Sequence, residues 1–495
     1  MEILNEDCLA LIFHKLDFLN RVRLETVCYK WFHVLQIGAG YSNVTQVNMA
    51  DFLPTNSTDY FQQEVITFAP IIMGIVQRCG CYINTISLGQ RWSKISQNVI
   101  DTVTKYCNQL TTLDLGCIIL DADISELLEQ SSANLEILSL EETSWVQKEN
   151  GDKVQDYFHK MIRLRKLNIR RAIFQLDKLH HLPQCLRSLE MSGVSSLTVK
   201  SFEQFLTSHL NLEELFICPL SIPENPIVSK VGSLSKLHSL QIGFIHSNDL
   251  SMQPLALCTT LQNLHIQNCN SLTTASLALI LESLNSLLSL TIINCPWVLD
   301  YSSLASGRTI QILRIEHTHR ITDDDIISIG VLKILKCLYI SHCFNITSIS
   351  ILSVLRNCEL IDIAINDCEG IGDEIFYSLA SVQHMMRSIS VQGCFNITSQ
   401  GVALLALMKK LLELRELDLS HNRNINDLAI LSIYNGMQMR KYEKTLEKKR
   451  VNKSKKKISK NLDGENLPML TIYVFKTSLS PNIEERVADM IILID

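Results

Sequence analysis

Cysteine and histidine are the residue types in this chain that most often bind metals or act as nucleophiles, and it contains 16 Cys and 14 His. Their spacing supports neither role. There is no C-x-x-C pair, and Cys79 and Cys81 are too close in sequence for an easy disulfide or zinc pair. Five cysteines recur at one position of a repeated phrase, which predicts buried, reduced, structural thiols: Cys269, Cys295, Cys343, Cys368 and Cys394. We therefore predict no catalytic residue, no metal and no cofactor.

Four histidines, His265, His317, His319 and His342, lie in or near the same repeated phrase and are expected on neighbouring strands. Such a cluster is compatible with a metal site or with solvated polar residues on a binding face. We favour the binding face, because no paired Cys/His spacing accompanies these residues.

The secondary-structure elements that position these residues are predicted by a repeated sequence motif of the form L-x-x-L-x-L-x-x-C/N-x-x-I/L. Copies that follow one another directly start 25 to 28 residues apart, and weaker copies extend from Ile83 to a last one at Leu467. This period predicts an α/β leucine-rich-repeat solenoid, a horseshoe with parallel strands on its concave face. The clear copies start at Leu261, Leu287, Leu335, Leu360, Met386 and Leu414.

The first 36 residues do not match the repeat. Asn5 is a predicted N-cap, and two amphipathic helices are indicated by apolar residues spaced i, i+3, i+4, i+7. Helices this short form no core alone, so they must pack on each other, on the solenoid or on a partner. The apolar positions are Leu9, Ile12, Phe13 and Leu16 in the first helix, and Leu24, Val27, Cys28 and Trp31 in the second.

This N-terminal pattern resembles an F-box. Asn5 replaces the usual proline after the first leucine, and Asn20-Arg21 replaces the common acidic start of the second helix. The apolar face matches, which implies that it contacts the adaptor of a cullin–RING scaffold. The adaptor-binding residues implied by the resemblance are Leu4, Leu9, Ile12, Phe13, Leu16, Leu24, Val27, Cys28 and Trp31.

An F-box followed by cysteine-containing leucine-rich repeats is similar to one protein family over nearly the whole chain. Its members are substrate receptors of SCF ubiquitin-protein ligases. The resemblance implies a non-catalytic subunit whose repeats hold a protein for ubiquitination and proteasomal degradation, so that it acts by proximity. Three alternatives stay open: an N-terminal segment that only caps the solenoid, a binding scaffold outside any ligase, and an enzyme-inhibitor module resembling ribonuclease inhibitor.

The middle residue of each L-x-L points away from the core and defines the expected substrate face. Large or charged residues at these positions are the best binding candidates, because aromatic residues and Arg are enriched at interface hot spots. The residues predicted to bind substrate are Phe216, His265, Arg314 and Tyr339 at these positions, with Glu316 and His317 beside them. Arg314 and Tyr339 are one repeat apart, which predicts neighbouring positions on adjacent strands.

The remaining expectations concern boundaries and compartment. We predict an F-box at 1–36, a linker and N-terminal cap region at 37–82, and repeats at 83–495 with a Lys-rich, mobile insertion at about 439–460. That insertion is a nuclear-import signal, an anionic contact or a solvated loop. A net charge of −6 favours protein partners over nucleic acid. The acidic N-terminus and the absence of a long apolar run predict no membrane partner and a cytoplasmic or nuclear protein.

Overall fold

The L-x-L of each phrase forms a short β-strand in the computed structural model, as the alternation predicts. The structure describes residues 4–37, 39–52, 69–89, 93–172, 179–192, 198–220, 228, 230–244, 252–454 and 469–494. The chain forms two units. The first unit comprises Met1–Lys230 and Leu234–Leu237, and the second unit comprises Val231–Ser233 and His238–Asp495. Both are leucine-rich-repeat arrays of parallel strands, which confirms the predicted fold class.

The first unit contains a parallel sheet in the order β1-β2-β4-β6-β8-β9-β10 and a separate parallel sheet β3-β5-β7. Its strands are β1 Gln46–Asn48, β2 Thr85–Ser87, β3 Ser93–Ser96, β4 Thr112–Asp114, β5 Ile118–Asp121, β6 Ile137–Ser139, β7 Ser144–Trp145, β8 Lys166–Ile169, β9 Ser188–Met191 and β10 Glu214–Leu220. Its helices are α1 Glu6–Phe13, α2 Phe18–Leu24, α3 Tyr29–Gln36, α4 Ala69–Cys79, α5 Gln97–Tyr106, α6 Ser125–Ser131, α7 Lys148–Asp152 and α8 Val199–Ser208.

The second unit contains parallel strands that pair in sequence order from β11 to β20. They are β11 Ser239–Phe244, β12 Asn263–Gln267, β13 Ser289–Ile293, β14 Ile312–Glu316, β15 Cys337–Ser341, β16 Asp362–Asn366, β17 Ser388–Ser390, β18 Glu416–Asp418, β19 Leu470–Tyr473 and β20 Ile491–Ile494. Its helices are α9 Thr274–Ser283, α10 Asp323–Ile329, α11 Ser348–Asn357, α12 Glu374–Val382, α13 Ser399–Ala403, α14 Asp427–Ser454 and α15 Ile483–Val487. No helix among the described residues is long and apolar enough to cross a membrane.

The repeated cysteine position is buried, as predicted. Cys269, Cys343, Cys368 and Cys394 are fully buried, and Cys295 is almost so. The thiol of Cys394 donates to the backbone oxygen of Ile365 in the preceding strand, at 3.1 Å. In the copy that starts at Leu414, Asn422 Nδ2 donates to Val391 O at 2.8 Å. Cys and Asn are interchangeable here because both are small enough to be buried and both donate to a carbonyl of the neighbouring strand.

The residue just before that position is left-handed in each repeat from the one that starts at Leu261 to the one that starts at Leu414, with φ between 48° and 66°. Its N–H then reaches the next strand: the His317 N–H donates to Ser341 O at 3.0 Å, and the His342 N–H donates to Asn366 O at 3.1 Å. In these repeats the residue types are those that tolerate this conformation, namely Asn268, Asn294, His317, His342, Asp367, Gly393 and His421. Elsewhere in the chain Cys117, Glu142, Arg171 and Lys476 adopt the same conformation.

Several elements differ from the sequence predictions. The sheet starts earlier than Ile83, because β1 lies inside the expected linker region 37–82, and β20 adds a strand after the last predicted copy. Leu467 of that copy lies outside the described residues, whereas Leu470 and Ile472 lie in β19. The Lys-rich segment was expected to be an insertion that interrupts the repeats, and up to Ser454 it is part of α14. Residues 455–460 of that segment lie outside the described residues.

Candidate protein-binding surfaces

The N-terminal segment is built from three helices rather than the predicted two. The Asn5 side chain caps α1 by accepting from the Cys8 N–H at 2.8 Å, and Asp17 caps α2 by accepting from the Asn20 N–H at 2.8 Å. Helix α2 ends at Leu24, a turn contains Val27, and Cys28 is the N-cap of α3. The second apolar face was therefore assigned wrongly, because these residues do not share one helix.

Two of the predicted adaptor-binding residues are internal. Leu9 and Phe13 are buried, and the Phe13 ring packs edge-on against Trp31 with centroids 5.4 Å apart. Leu9 and Phe13 thus hold the three helices together instead of facing a partner. Of the other predicted residues, Leu4, Leu16, Leu24 and Trp31 are half-buried, whereas Ile12, Val27 and Cys28 are exposed.

The apolar side chains that do face solvent include three that sequence reasoning missed. Leu11 is 64% exposed, Leu19 61% and Tyr29 79%, beside Ile12 at 48% and Val27 at 57%. We call these five the N-terminal apolar set. Large exposed apolar residues concentrated in one short segment are typical of a protein-binding surface. Their signal in the sequence was a helix that is apolar on more than one side, as in Leu9-Ala10-Leu11-Ile12-Phe13.

A buried carboxylate attaches these helices to α4. Glu25 accepts hydrogen bonds from Arg78 Nε (2.9 Å), Arg78 Nη2 (3.1 Å), Gln36 Nε2 (2.8 Å) and Tyr41 Oη (2.6 Å). Burial alone would raise the pKa of Glu25, but the hydrogen bonds from Arg78, Tyr41 and Gln36 hold that pKa below its ordinary value. The N-terminal helices are therefore held to α4 by an ion pair whose carboxylate also accepts hydrogen bonds from Gln36 and Tyr41.

Arg21 has a similar role, although it lies in the last turn of α2 and not at the start of a helix, as the sequence pattern had predicted. The Arg21 side chain is buried and donates to Leu16 O, Gly40 O and Asn43 Oδ1, at 3.0, 3.1 and 2.6 Å. These hydrogen bonds join the turn between α1 and α2 to the segment that follows α3. This departure from the pattern thus serves the packing of the segment itself.

The predicted register of the outward residues is confirmed in the second unit, whereas their binding of a substrate stays a prediction. His265, Thr291, Arg314 and Tyr339 are directly opposed on consecutive strands β12 to β15. The Arg314 guanidinium carbon lies 4.5 Å from the centroid of the Tyr339 ring, and Arg314 Nη1 donates to Glu316 Oε1 at 2.8 Å. Arg314 keeps 42% of its side chain exposed. The arrangement presents a cation that is already oriented by a ring and a carboxylate.

His317 and His342 directly follow β14 and β15, the two strands that carry this pair. The His317 and His342 rings stack with centroids 4.1 Å apart, and His342 Nε2 lies 3.6 Å from Asp367 Oδ2. Burial lowers the pKa of His265, whose Nε2 lies 3.2 Å from Gln267 Oε1. Within the part of the chain that the structure describes, no group of three or more His, Cys, Asp or Glu residues could hold a metal ion.

Phe216 belongs to the first unit, unlike the other predicted substrate residues. It lies in β10, half-buried, directly opposite Glu190 of β9. The first unit carries its own row of outward positions, in which Asp114 accepts from Ser87 Oγ at 2.8 Å. Phe216 is the single aromatic residue of that row, which consists of Asn48, Ser87, Asp114, Ser139, Asn168, Glu190 and Phe216.

No protein-family model and no curated protein matches the chain. Several solved structures are similar to it. An internalin from Listeria monocytogenes is 17% identical with a TM-score of 0.39, covering 66% of this chain and 79% of that one. A leucine-rich-repeat protein from Leptospira interrogans is 14% identical with a TM-score of 0.40, covering 88% and 100%. The Rad7 and Elc1 complex of yeast contributes a match of 16% identity and a TM-score of 0.43, covering 71% and 88%.

Similarity at this level concerns the fold and not what any of these proteins binds. The pairing of the strands and the burial of the repeated leucines define the class of protein. The chain is a leucine-rich-repeat solenoid protein, whose strands present a row of outward side chains in each unit.

Proposed function

We propose that this chain is the substrate-recognition subunit of an SCF ubiquitin-protein ligase. The N-terminal helices dock on the adaptor, and the repeats hold the protein that is ubiquitinated for proteasomal degradation. The chain itself is non-catalytic and brings its substrate close to the catalytic end of the scaffold. The observation that carries the proposal is the N-terminal apolar set, because these side chains are exposed on a segment whose own core is already complete.

The anchoring of that segment supports the proposal. An adaptor-binding element in a ligase must be attached firmly to the repeats that bind the substrate. Here the Glu25–Arg78 contact attaches the N-terminal helices to α4 near the start of the repeats. A mere end cap needs to cover the first strand, but it does not need Leu11, Leu19 and Tyr29 in solvent. The exposed apolar residues are therefore better explained by a partner than by capping.

The substrate side of the proposal rests on the Arg314–Tyr339 pair. It combines the residue types that dominate interface energies, and it is pre-oriented by Glu316. Such pre-organisation lowers the entropy lost when a partner binds. His317 and His342 extend the same region at the end of the strands.

The test is co-precipitation with the SCF adaptor and its cullin. Ile12→Asp with Val27→Asp places two charges in the N-terminal apolar set, and we expect adaptor binding to fall by at least tenfold, since hot-spot changes cost about 2 kcal/mol or more. The matched control is Ile349→Asp with Leu428→Asp, two exposed apolar residues of the second unit, which should leave binding unchanged. Circular dichroism checks that each variant is folded.

If the N-terminal double variant retains wild-type adaptor and cullin, the ligase proposal is wrong. A wild-type chain that folds but never captures the adaptor would instead favour a binding scaffold outside the ligase.

A further inference from the structure

Consecutive repeats of the second unit expose a side chain at the turn that follows the strand. It comes directly after the buried Cys, Thr or Asn position, except in the first of these repeats, where a proline takes that place and a tryptophan follows it. We call these residues the edge row. They follow strands β13 to β18 in order and are Trp297, His319, Phe344, Glu369, Phe395 and Arg423.

Asparagine side chains fix the backbone of the edge row from one repeat to the next. Asn396 Nδ2 donates to Glu369 O at 2.6 Å. In the next repeat Asn424 Nδ2 donates to Phe395 O at 2.9 Å. The same backbone bond thus forms whether the row carries a carboxylate or an aromatic ring. The packing of the solenoid therefore does not require an aromatic side chain at this position.

The edge row nevertheless carries large aromatic side chains at every second repeat. Trp297 is 57% exposed, Phe344 47% and Phe395 58%. The His319 ring lies between the first two and stacks on Phe344, with centroids 5.7 Å apart and planes 11° apart. Exposed aromatic side chains that are aligned along one edge and not needed for the fold are typical of a protein-binding surface.

The spacing of the aromatic residues indicates what binds them. Neighbouring strands of a sheet are about 4.8 Å apart, so residues two repeats apart are separated by roughly 10 Å. An α-helix rises about 10.5 Å in seven residues. Apolar side chains at i, i+7 and i+14 of a helix that runs along the edge would therefore meet the three aromatic residues. Residues three or four positions further along face the same side of that helix and would meet the members of the row in between.

The members in between carry charge. Arg320 follows His319, and Glu369 and Arg423 occupy the later repeats, all of them exposed. We propose that the edge row binds an amphipathic α-helix of a partner protein, with acidic residues opposite Arg320 and Arg423 and a basic residue opposite Glu369. This inference does not rest on the ligase assignment.

A proline-rich extended segment fits the edge row less well. It advances about 9.3 Å in three residues, which matches the spacing of the aromatic side chains. However, a polyproline helix has three residues per turn, so no residue between two contacts faces the row. The charges of Glu369 and Arg423 would then have no partner, whereas the intermediate turn of an α-helix supplies one.

The experiment measures fluorescence anisotropy with the full chain and two labelled helical peptides of about 18 residues. The matched peptide has leucine at i, i+7 and i+14, with a glutamate, a lysine and a glutamate at the intermediate turns. The swapped peptide exchanges lysine and glutamate. We expect saturable binding of the matched peptide and a preference for it of roughly two- to fivefold, the range of exposed ion pairs. Glu369→Lys should weaken or reverse this preference.

The aromatic contacts are tested by Phe344→Ser with Phe395→Ser, which should lower the affinity for the matched peptide at least tenfold. The matched control is Tyr377→Ser with Tyr442→Ser, which removes two exposed rings of α12 and α14 and should bind like the wild type. Circular dichroism checks that each variant is folded, and each peptide helical.

Four results overturn the proposal: no binding of the matched peptide up to about 1 mM, equal binding by the phenylalanine variant, an unchanged charge preference in Glu369→Lys, or tighter binding of a proline-rich peptide with the same charges. A wild-type dimer that the phenylalanine variant does not form would assign the edge row to a second copy and equally refute a helical partner. Adaptor binding should be the same in all variants, so this result and the ligase test are independent.

Discussion

Glu25→Ala should loosen the N-terminal helices from α4. The Glu25 side chain is 8% exposed and accepts from Arg78, Tyr41 and Gln36. Removing one member of a buried ion pair costs about 3–5 kcal/mol when the other charge stays buried. Arg78 is 26% exposed, so water can solvate its guanidinium after the substitution, which lowers this cost. The Tyr41 hydroxyl, in contrast, loses its hydrogen-bond acceptor. We expect a destabilisation of about 3 kcal/mol, confined mainly to α1–α3.

Hydrogen exchange measured by mass spectrometry resolves this local effect. Amides of α1–α3 should lose roughly a hundredfold of protection, since each 1.4 kcal/mol is a factor of about ten. Amides in β12–β16 should not change. The control is Glu213→Ala, which breaks an ion pair with Arg187. The two side chains are 34% and 52% exposed, and such a pair is worth at most about 1 kcal/mol. Equal effects of the two substitutions would refute the anchoring role of Glu25.

The contact between Glu25 and Arg78 also predicts how the stability of α1–α3 changes with pH. The pKa of Glu25 is lower in the folded protein than its ordinary value of 4.5. A lowered carboxyl pKa contributes stability that is complete above 4.5 and is lost as the pH falls through the folded value. Protection of α1–α3 should therefore be constant near neutral pH and decrease in acid, and in Glu25→Gln this decrease should be smaller.

Two further predictions concern the repeats. Burial raises the pKa of Cys295, Cys343 and Cys394 to about 12 and that of Cys368 to about 11. These four thiols should therefore react slowly with a thiol reagent in native protein and rapidly after denaturation, whereas the exposed Cys8 and Cys28 should react fast in both states. Rapid labelling of the four in native protein would contradict their burial. Arg314→Ala with Tyr339→Ser should change the set of proteins that co-purify from cells and leave adaptor binding intact, and an unchanged set would show that this pair is not the recognition surface.

Much of the solenoid was predictable because the repeat encodes its own geometry. Alternation places Leu338 and Ile340 in the core and Tyr339 outside wherever a strand forms, and a 25-residue spacing puts Arg314 beside it. The cysteine position also follows, since a residue with one phase in every repeat has one environment in every repeat. These features depend only on local sequence and on stacking of like units.

The tertiary structure decided what the periodicity does not encode. Leu9, Leu11 and Ile12 are all apolar, and only the packing of α1 against α3 determines that Leu9 is buried and the other two are exposed. Arg21 and Glu25 are charges that sequence reasoning assigns to a surface, yet neighbours distant in sequence bury and bond them. In α14 a Lys-rich stretch remains helical, because it continues a helix whose first half is anchored by apolar contacts and by Arg440. Spacing along the chain thus fixes strands and their faces, whereas the exposed side of a short helix depends on what packs against it.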